Sequence, residues 1–221
     1  MRYRPLQPGL MVEGNSDEPY LKNLVRRQLS ALVLAHSTQS VEVLPCLVSD
    51  VRTTQAEEVV LHGAEDLARD CDVLFLHGDA DARDRTAKLV TRLGDRAGTL
   101  RRTATPVPVV TVLMTESWML ADRTALESVM TGRRIEGYPY ARPAAVETRV
   151  SVKGARGVSG REKLDPKQVW KALLGDDAHD ALSDAAELLV RRTDLSVLDA
   201  VPSYRQWSAD TEAALRDLGY L

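Results

Sequence analysis

Val73-Leu74-Phe75-Leu76-His77-Gly78-Asp79-Ala80-Asp81-Ala82-Arg83-Asp84 is an apolar run that ends in two carboxylates spaced i, i+2, with Asp84 close behind. A buried strand that delivers Asp79 and Asp81 to its carboxyl end builds a cluster of hard oxygen ligands. Such a cluster suits Mg²⁺ or Mn²⁺, ions that most often serve phosphate chemistry. Acidic residues also serve as strand-to-helix linkers and helix caps, so the pair taken alone is equally consistent with a turn.

The flanking sequence alternates strand and helix signals. Leu10-Met11-Val12-Glu13 is a short apolar run stopped by Gly14-Asn15. Asn15-x-x-Glu18 reads as a capping box before Leu21, Leu24, Val25, Leu29 and Leu32 at helical spacing. Val43 to Val48 is a second strand, placed near an edge by Pro45. A helix is expected from about Gln55 to Arg69, a strand from Cys71 to His77, a helix from Arg83 to Leu100 and a strand from Val107 to Met114. This alternation predicts an α/β fold: about four mainly parallel strands with helices on both faces, followed by a C-terminal helical segment. Ligands of such sheets bind beyond the carboxyl ends of the strands. Right-handed crossovers bring Glu13, Asp79, Asp81 and Glu116 to one edge. Four carboxylates there repel one another unless a cation neutralises them, which raises the metal reading above the cap reading.

From Thr131 to Arg161 the periodicity breaks at Pro139, Pro143, Gly154, Gly157 and Gly160. The expected organisation is an α/β core over residues 1–130 and, over 131–221, a basic Gly-rich loop and helical extension packed on that core. Between Arg133 and Lys171 there are ten Lys or Arg against four acids. Lys153, Arg156 and Arg161 lie in a cationic loop suited to a phosphate backbone; a solvated surface loop is the competing reading. Asp165-Pro166 then opens a helix.

The 221 residues, 44% hydrophobic and 28% charged, fit an ordinary globular chain. A net charge of −3 argues against a whole-surface grip on nucleic acid but leaves room for a local basic patch. Two cysteines, Cys46 and Cys71, are too few for a structural zinc site or a disulfide framework and read as buried thiols. No apolar leader and no membrane-length stretch is present, so a cytoplasmic location without membrane contact is expected. No G-x-x-x-x-G-K-[ST] pattern occurs, so an ATP-driven step would need a partner. Ser117 lacks a His-Asp pair in sequence. His36, His62 and His179 read as surface residues. Trp118, Trp170 and Trp207 read as packing anchors. His77 shares a strand face with Phe75 and Asp79; a hydrogen-bonded strand histidine is favoured over one that orients a metal-bound carboxylate.

Val12-Glu13-Gly14-Asn15-Ser16-Asp17 followed by Gly78-Asp79-Ala80-Asp81 resembles the two signature elements of the Toprim domain, a glutamate after the first strand and a DxD pair after a later one. Thr115-Glu116-Ser117-Trp118-Met119-Leu120-Ala121-Asp122 and Pro166-Lys167 are similar to further motifs of one family of small Toprim-clan proteins, related to OLD-type nucleases. The chain departs from the broader pattern where Asp84 stands in place of a glycine. It also lacks the zinc modules and long partner domains of primases and topoisomerases.

The resemblance implies a Mg²⁺- or Mn²⁺-dependent nuclease, or related phosphoryl-transfer enzyme, acting on DNA or RNA and belonging to a phage-defence system. It implies Glu13, Asp79, Asp81 and Glu116 as metal ligands, Glu13 also as a general acid/base, and Lys167 as a cation at the scissile phosphate. Lys163, Asp17 and Asp84 are second-rank candidates, Asp17 having a competing explanation in a favourable position in the first helical turn. Two other functions compete: a latent or non-catalytic regulatory subunit of a partner ATPase, and a nucleotide-sugar transferase holding a diphosphate through its DxD pair.

Overall fold

The computed structural model describes residues 3–79, 83–97, 104–130, 135, 137–151, 163–174 and 178–221. Strands β1 (Tyr3–Leu6), β2 (Pro8–Met11), β3 (Ser40–Val43), β4 (Leu47–Val48), β5 (Val73–Asp79) and β6 (Thr105–Thr111) alternate with helices α1 (Glu18–His36), α2 (Glu57–Ala68) and α3 (Arg83–Ala97). The molecule is an α/β protein. Its principal sheet has the order β4-β2-β5-β6, and β1 and β3 form a separate pair. The β1–β3, β2–β4 and β2–β5 pairings are all parallel, with Pro8 opposite Val73 and Met11 opposite Leu76.

The β1–β3 pair lies outside the four expected strands. Tyr3-Arg4-Pro5-Leu6 carries little apolar signal, and only its Leu6 is buried. The expected second strand is split at Leu44-Pro45-Cys46, where proline has no N–H for a ladder. The first expected strand lies earlier than its apolar run suggests. Val12 and Glu13 therefore sit just past β2, beyond its last residue Met11.

Strand alternation divides β5 between two cores. Leu74 and Leu76 join Met11, with Val60, Leu61 and Ala64 of α2 and Leu89 and Leu93 of α3, in one buried cluster. On the opposite face Phe75 meets Trp207 edge-on, ring centroids 5.9 Å apart, a geometry that adds about 0.5–1.5 kcal/mol to simple burial. Trp207 belongs to the last helix, Pro202–Asp217, and that helix is tied to α1 by Gln28 Nε2 donating to Ser208 Oγ at 2.7 Å. Helices thus cover both faces of the sheet.

The chain divides into two compact units, residues 1–110 with 206–221, and residues 111–205. The expected break near residue 130 falls inside the second unit, and the division cuts the last helix. The second unit contains α4 (Glu116–Met119), α5 (Arg123–Val129), a 3-10 turn (Pro143–Glu147), α6 (Pro166–Leu174), α7 (Ala178–Arg192) and α8 (Leu195–Leu198), followed by the start of α9 (Pro202–Asp217). Its core holds the fully buried Trp118, whose indole N–H donates to Ser203 Oγ at 2.8 Å and whose ring meets Tyr204 edge-on. Asp122 caps α5 by accepting from Ala125 N at 3.0 Å, and its second oxygen accepts from Asp194 N at 2.8 Å, joining the starts of α5 and α8. Among the described residues no helix is long and apolar enough to cross a membrane.

Candidate functional site

The strand order creates a switch point. From β2 the chain passes through α1 to β3 and β4 on one side, whereas β5 lies on the other side of β2 and leads through α3 to β6. The crevice of such a sheet opens where the order reverses, beyond the carboxyl ends of β2 and β5. Glu13 follows β2 and Asp79 ends β5, so both stand at that opening. They touch: the Asp79 backbone N–H donates to Glu13 Oε2 at 2.8 Å. A charge-assisted bond of this kind fixes the glutamate side chain while Oε1 remains to meet a ligand.

His77 lies beneath them, fully buried. Its Nδ1 accepts from Glu13 N at 3.3 Å, and its Nε2 is 3.9 Å from Asp79 Oδ1. Burial lowers its pKa below the ordinary histidine value, against the opposing pull of Asp17 and Glu13, so the ring is neutral. Thr53 locks the same strand end, its Oγ1 donating to His77 O at 2.8 Å and its N–H to Val12 O at 3.0 Å. Strand alternation already places His77 on the face of Asp79; the contribution of Thr53 carries no comparable sequence signal.

Asp17 differs from its expected role. It occupies the N-cap position of α1 without capping, and its Oδ2 accepts from Gly14 N at 3.0 Å, 4.0 Å from His77 Nδ1. The carboxylate therefore turns back toward the loop after β2 and the buried ring. The expected Asn15-x-x-Glu18 capping box does not form, because the helix starts later, with Asp17 at its N-cap, and both side chains turn to Arg52. Its Nε donates to Asn15 Oδ1 at 2.7 Å and Nη2 to Glu18 Oε2 at 3.2 Å. The guanidinium fork pins the loop from outside.

Glu13, Asp17 and Asp79 supply only oxygens, the donors that Mg²⁺ and Mn²⁺ prefer. Among the described residues no three metal-ligating side chains are gathered closely enough to hold an ion. Asp81 lies outside the described residues, and Asp84 is in the first turn of α3 with its side chain outside them.

Two of the remaining candidates lie in the second unit. Glu116 opens α4 and is half-buried. Lys167 is exposed in the first turn of α6, and its backbone N–H donates to Met114 Sδ at 3.1 Å, two residues before Glu116. The turn leading to Glu116 holds Leu113 at φ 69°, a left-handed conformation that costs a bulky residue about 1–2 kcal/mol. Asp165 and Gln168 form a reciprocal cap at the start of α6, at 2.8 and 3.0 Å. Lys163 is exposed beside the Val150–Leu164 bridge. Lys153, Arg156 and Arg161 lie outside the described residues.

Other sequence readings find their places. Ser117 Oγ donates to Val112 O at 2.6 Å. Trp170 is buried, and His36 and His62 are exposed. Cys71 is a buried free thiol whose pKa burial pushes up to about 12, with Asp72 and Asp70 adding to the shift. Cys46 is free and only half-buried, against the expectation of a buried thiol, because the strand that would carry it is broken at Pro45. No family model, no curated protein and no solved structure matches this chain, so the site is read from its own residues.

Proposed function

We propose that this protein is a divalent-metal-dependent nuclease, or a closely related phosphoryl-transfer enzyme, with a Toprim-like arrangement of acids. The observation that carries the reading is the pairing of Glu13 with Asp79 at the β2–β5 switch point, where one carboxylate is already oriented by the backbone of the other residue. Glu13 and Asp79 would hold Mg²⁺ together with Asp81. The bound ion would supply charge neutralisation at a phosphodiester and a more acidic water. Glu13 is half-buried with one oxygen tied, and its second oxygen would serve either as the metal ligand or, in place of that, to take or return a proton at an attacking or leaving hydroxyl. On the resemblance, Glu116 would be a further metal ligand and Lys167 would offer positive charge to a phosphate. Lys153, Arg156 and Arg161 would grip the nucleic-acid backbone. An effector role in phage defence is the setting that the resemblance suggests.

The test is cleavage of single- and double-stranded DNA and RNA by purified protein with Mg²⁺ or Mn²⁺, beside Asp79→Ala. Metal-dependent cleavage that the variant lacks is expected. No cleavage of any substrate, or cleavage undiminished in the variant, overturns the proposal.

A further inference from the structure

We propose that His77 is the positioning residue of the acidic site: its Nε2–H aims the Asp79 carboxylate at the cation while Nδ1 stays tied to the backbone of Glu13. The inference rests on the metal reading above and assigns the ring a role that reading leaves open. A nitrogen that accepts an N–H presents its lone pair. Because Glu13 N donates to Nδ1 at 3.3 Å, the neutral ring carries its proton on Nε2. Nε2 lies 3.9 Å from Asp79 Oδ1. The separation exceeds a direct hydrogen bond, and a small rotation of the Asp79 side chain or one bridging water closes it. Catalytic hydrogen bonds commonly tighten in this way on loading.

Nothing lets the ring swing away. It is 0% exposed, its own carbonyl is held by Thr53 Oγ1 at 2.8 Å, and its strand runs in parallel register with β2 up to Met11 opposite Leu76. The face offered to the site is a donor rather than a lone pair, so His77 acts on the ligand and is not itself a ligand. Groups that orient a metal-bound side chain in this way typically contribute about 10–100-fold to metal affinity.

The experiment measures Mn²⁺ binding to the full chain, from the paramagnetic resonance of free Mn²⁺, for wild type, His77→Gln and His77→Asn, with a thermal melt of each. The glutamine amide nitrogen reaches the Nε2 position, whereas that of asparagine stops at Nδ1. Glutamine is expected to stay close to wild type, and asparagine to bind about 10–100-fold more weakly at a similar melting temperature. Nitrogen-15 spectra of the metal-free wild type are expected to show Nδ1 bare and Nε2 protonated at neutral pH, a readout that holds even if a variant fails to fold. A ring protonated on Nδ1, or asparagine binding as tightly as glutamine, overturns the positioning role and leaves the metal reading standing. Wild type that binds no Mn²⁺ removes both.

Discussion

At the amino edge of the β2–β5 pair Gln7 stands beside Asp72, and at the carboxyl edge Glu13 stands beside Asp79. The local bond is the same in both places. Gln7 N donates to Asp72 Oδ2 at 2.8 Å, and Asp79 N donates to Glu13 Oε2 at 2.8 Å. The surroundings differ. At the amino edge Arg4 donates to the carbonyls of Leu218 and Gly219 at 2.8 Å each and lies 3.7 Å over the Tyr220 ring. Tyr220 in turn donates to Pro5 O at 2.9 Å, and Arg69 shares the cavity of about 380 Å³ there with Arg4 and Asp72. Acid, base and carbonyl complement one another, as in a structural polar cluster. At the carboxyl edge the described neighbours include the Asp17 carboxylate and the buried His77 imidazole. The acids at this edge supply oxygen donors of the kind a divalent cation takes, as in a site kept for function.

Substitutions at the two edges should therefore separate binding from stability. Asp79→Asn is expected to lower metal-dependent cleavage by at least about 100-fold, some 2.7 kcal/mol of transition-state stabilisation, and to leave the melting temperature unchanged or raised without metal. An equal loss of stability would make Asp79 a structural residue and dissolve the contrast. Asp72→Ala should do the opposite. It leaves the Gln7 N–H without its acceptor and is expected to cost about 1–3 kcal/mol in denaturant unfolding, with Mn²⁺ affinity unchanged. Weaker Mn²⁺ binding in that variant would show that the edges are not independent.

The last effect concerns pH. Cys71, at the amino edge, has a folded pKa of about 12 against 9.0 when unfolded. The folded state thus holds its proton where the unfolded state releases it. Its contribution is fully present below pH 9 and is lost as pH rises toward 12. Unfolding free energy should fall by up to about 1.4 kcal/mol per pH unit between pH 9 and 12, and Cys71→Ala should remove this slope. A slope unchanged in the variant would assign the alkaline loss to other groups.

The parts of the fold legible in the sequence are those whose signal is local. The apolar run Val73–Leu76 is buried on both faces, and the periodic leucines of α1 form a single stripe, so each declares its element without knowledge of partners. The β1–β3 pair is illegible because Tyr3–Leu6 and Ser40–Val43 owe their extended state to each other rather than to apolar content. The capping box at Asn15 fails because the helix starts after Asp17 and the two side chains bond Arg52, distant in sequence. At the site, Glu13 and Asp79 are legible from their places after apolar runs. The inward turn of Asp17 and the lock from Thr53 depend on where the loops after β2 and β4 meet, and that is decided by tertiary packing.

The central claim is that Glu13 and Asp79 hold one divalent cation. Anomalous diffraction from crystals of the full chain soaked in Mn²⁺ tests it most directly. The account predicts one peak at the switch point, about 2.0–2.2 Å from a carboxylate oxygen of each residue, with His77 outside the coordination sphere. Mn²⁺ bound only elsewhere on the protein, with no peak beside Glu13 and Asp79, would contradict it.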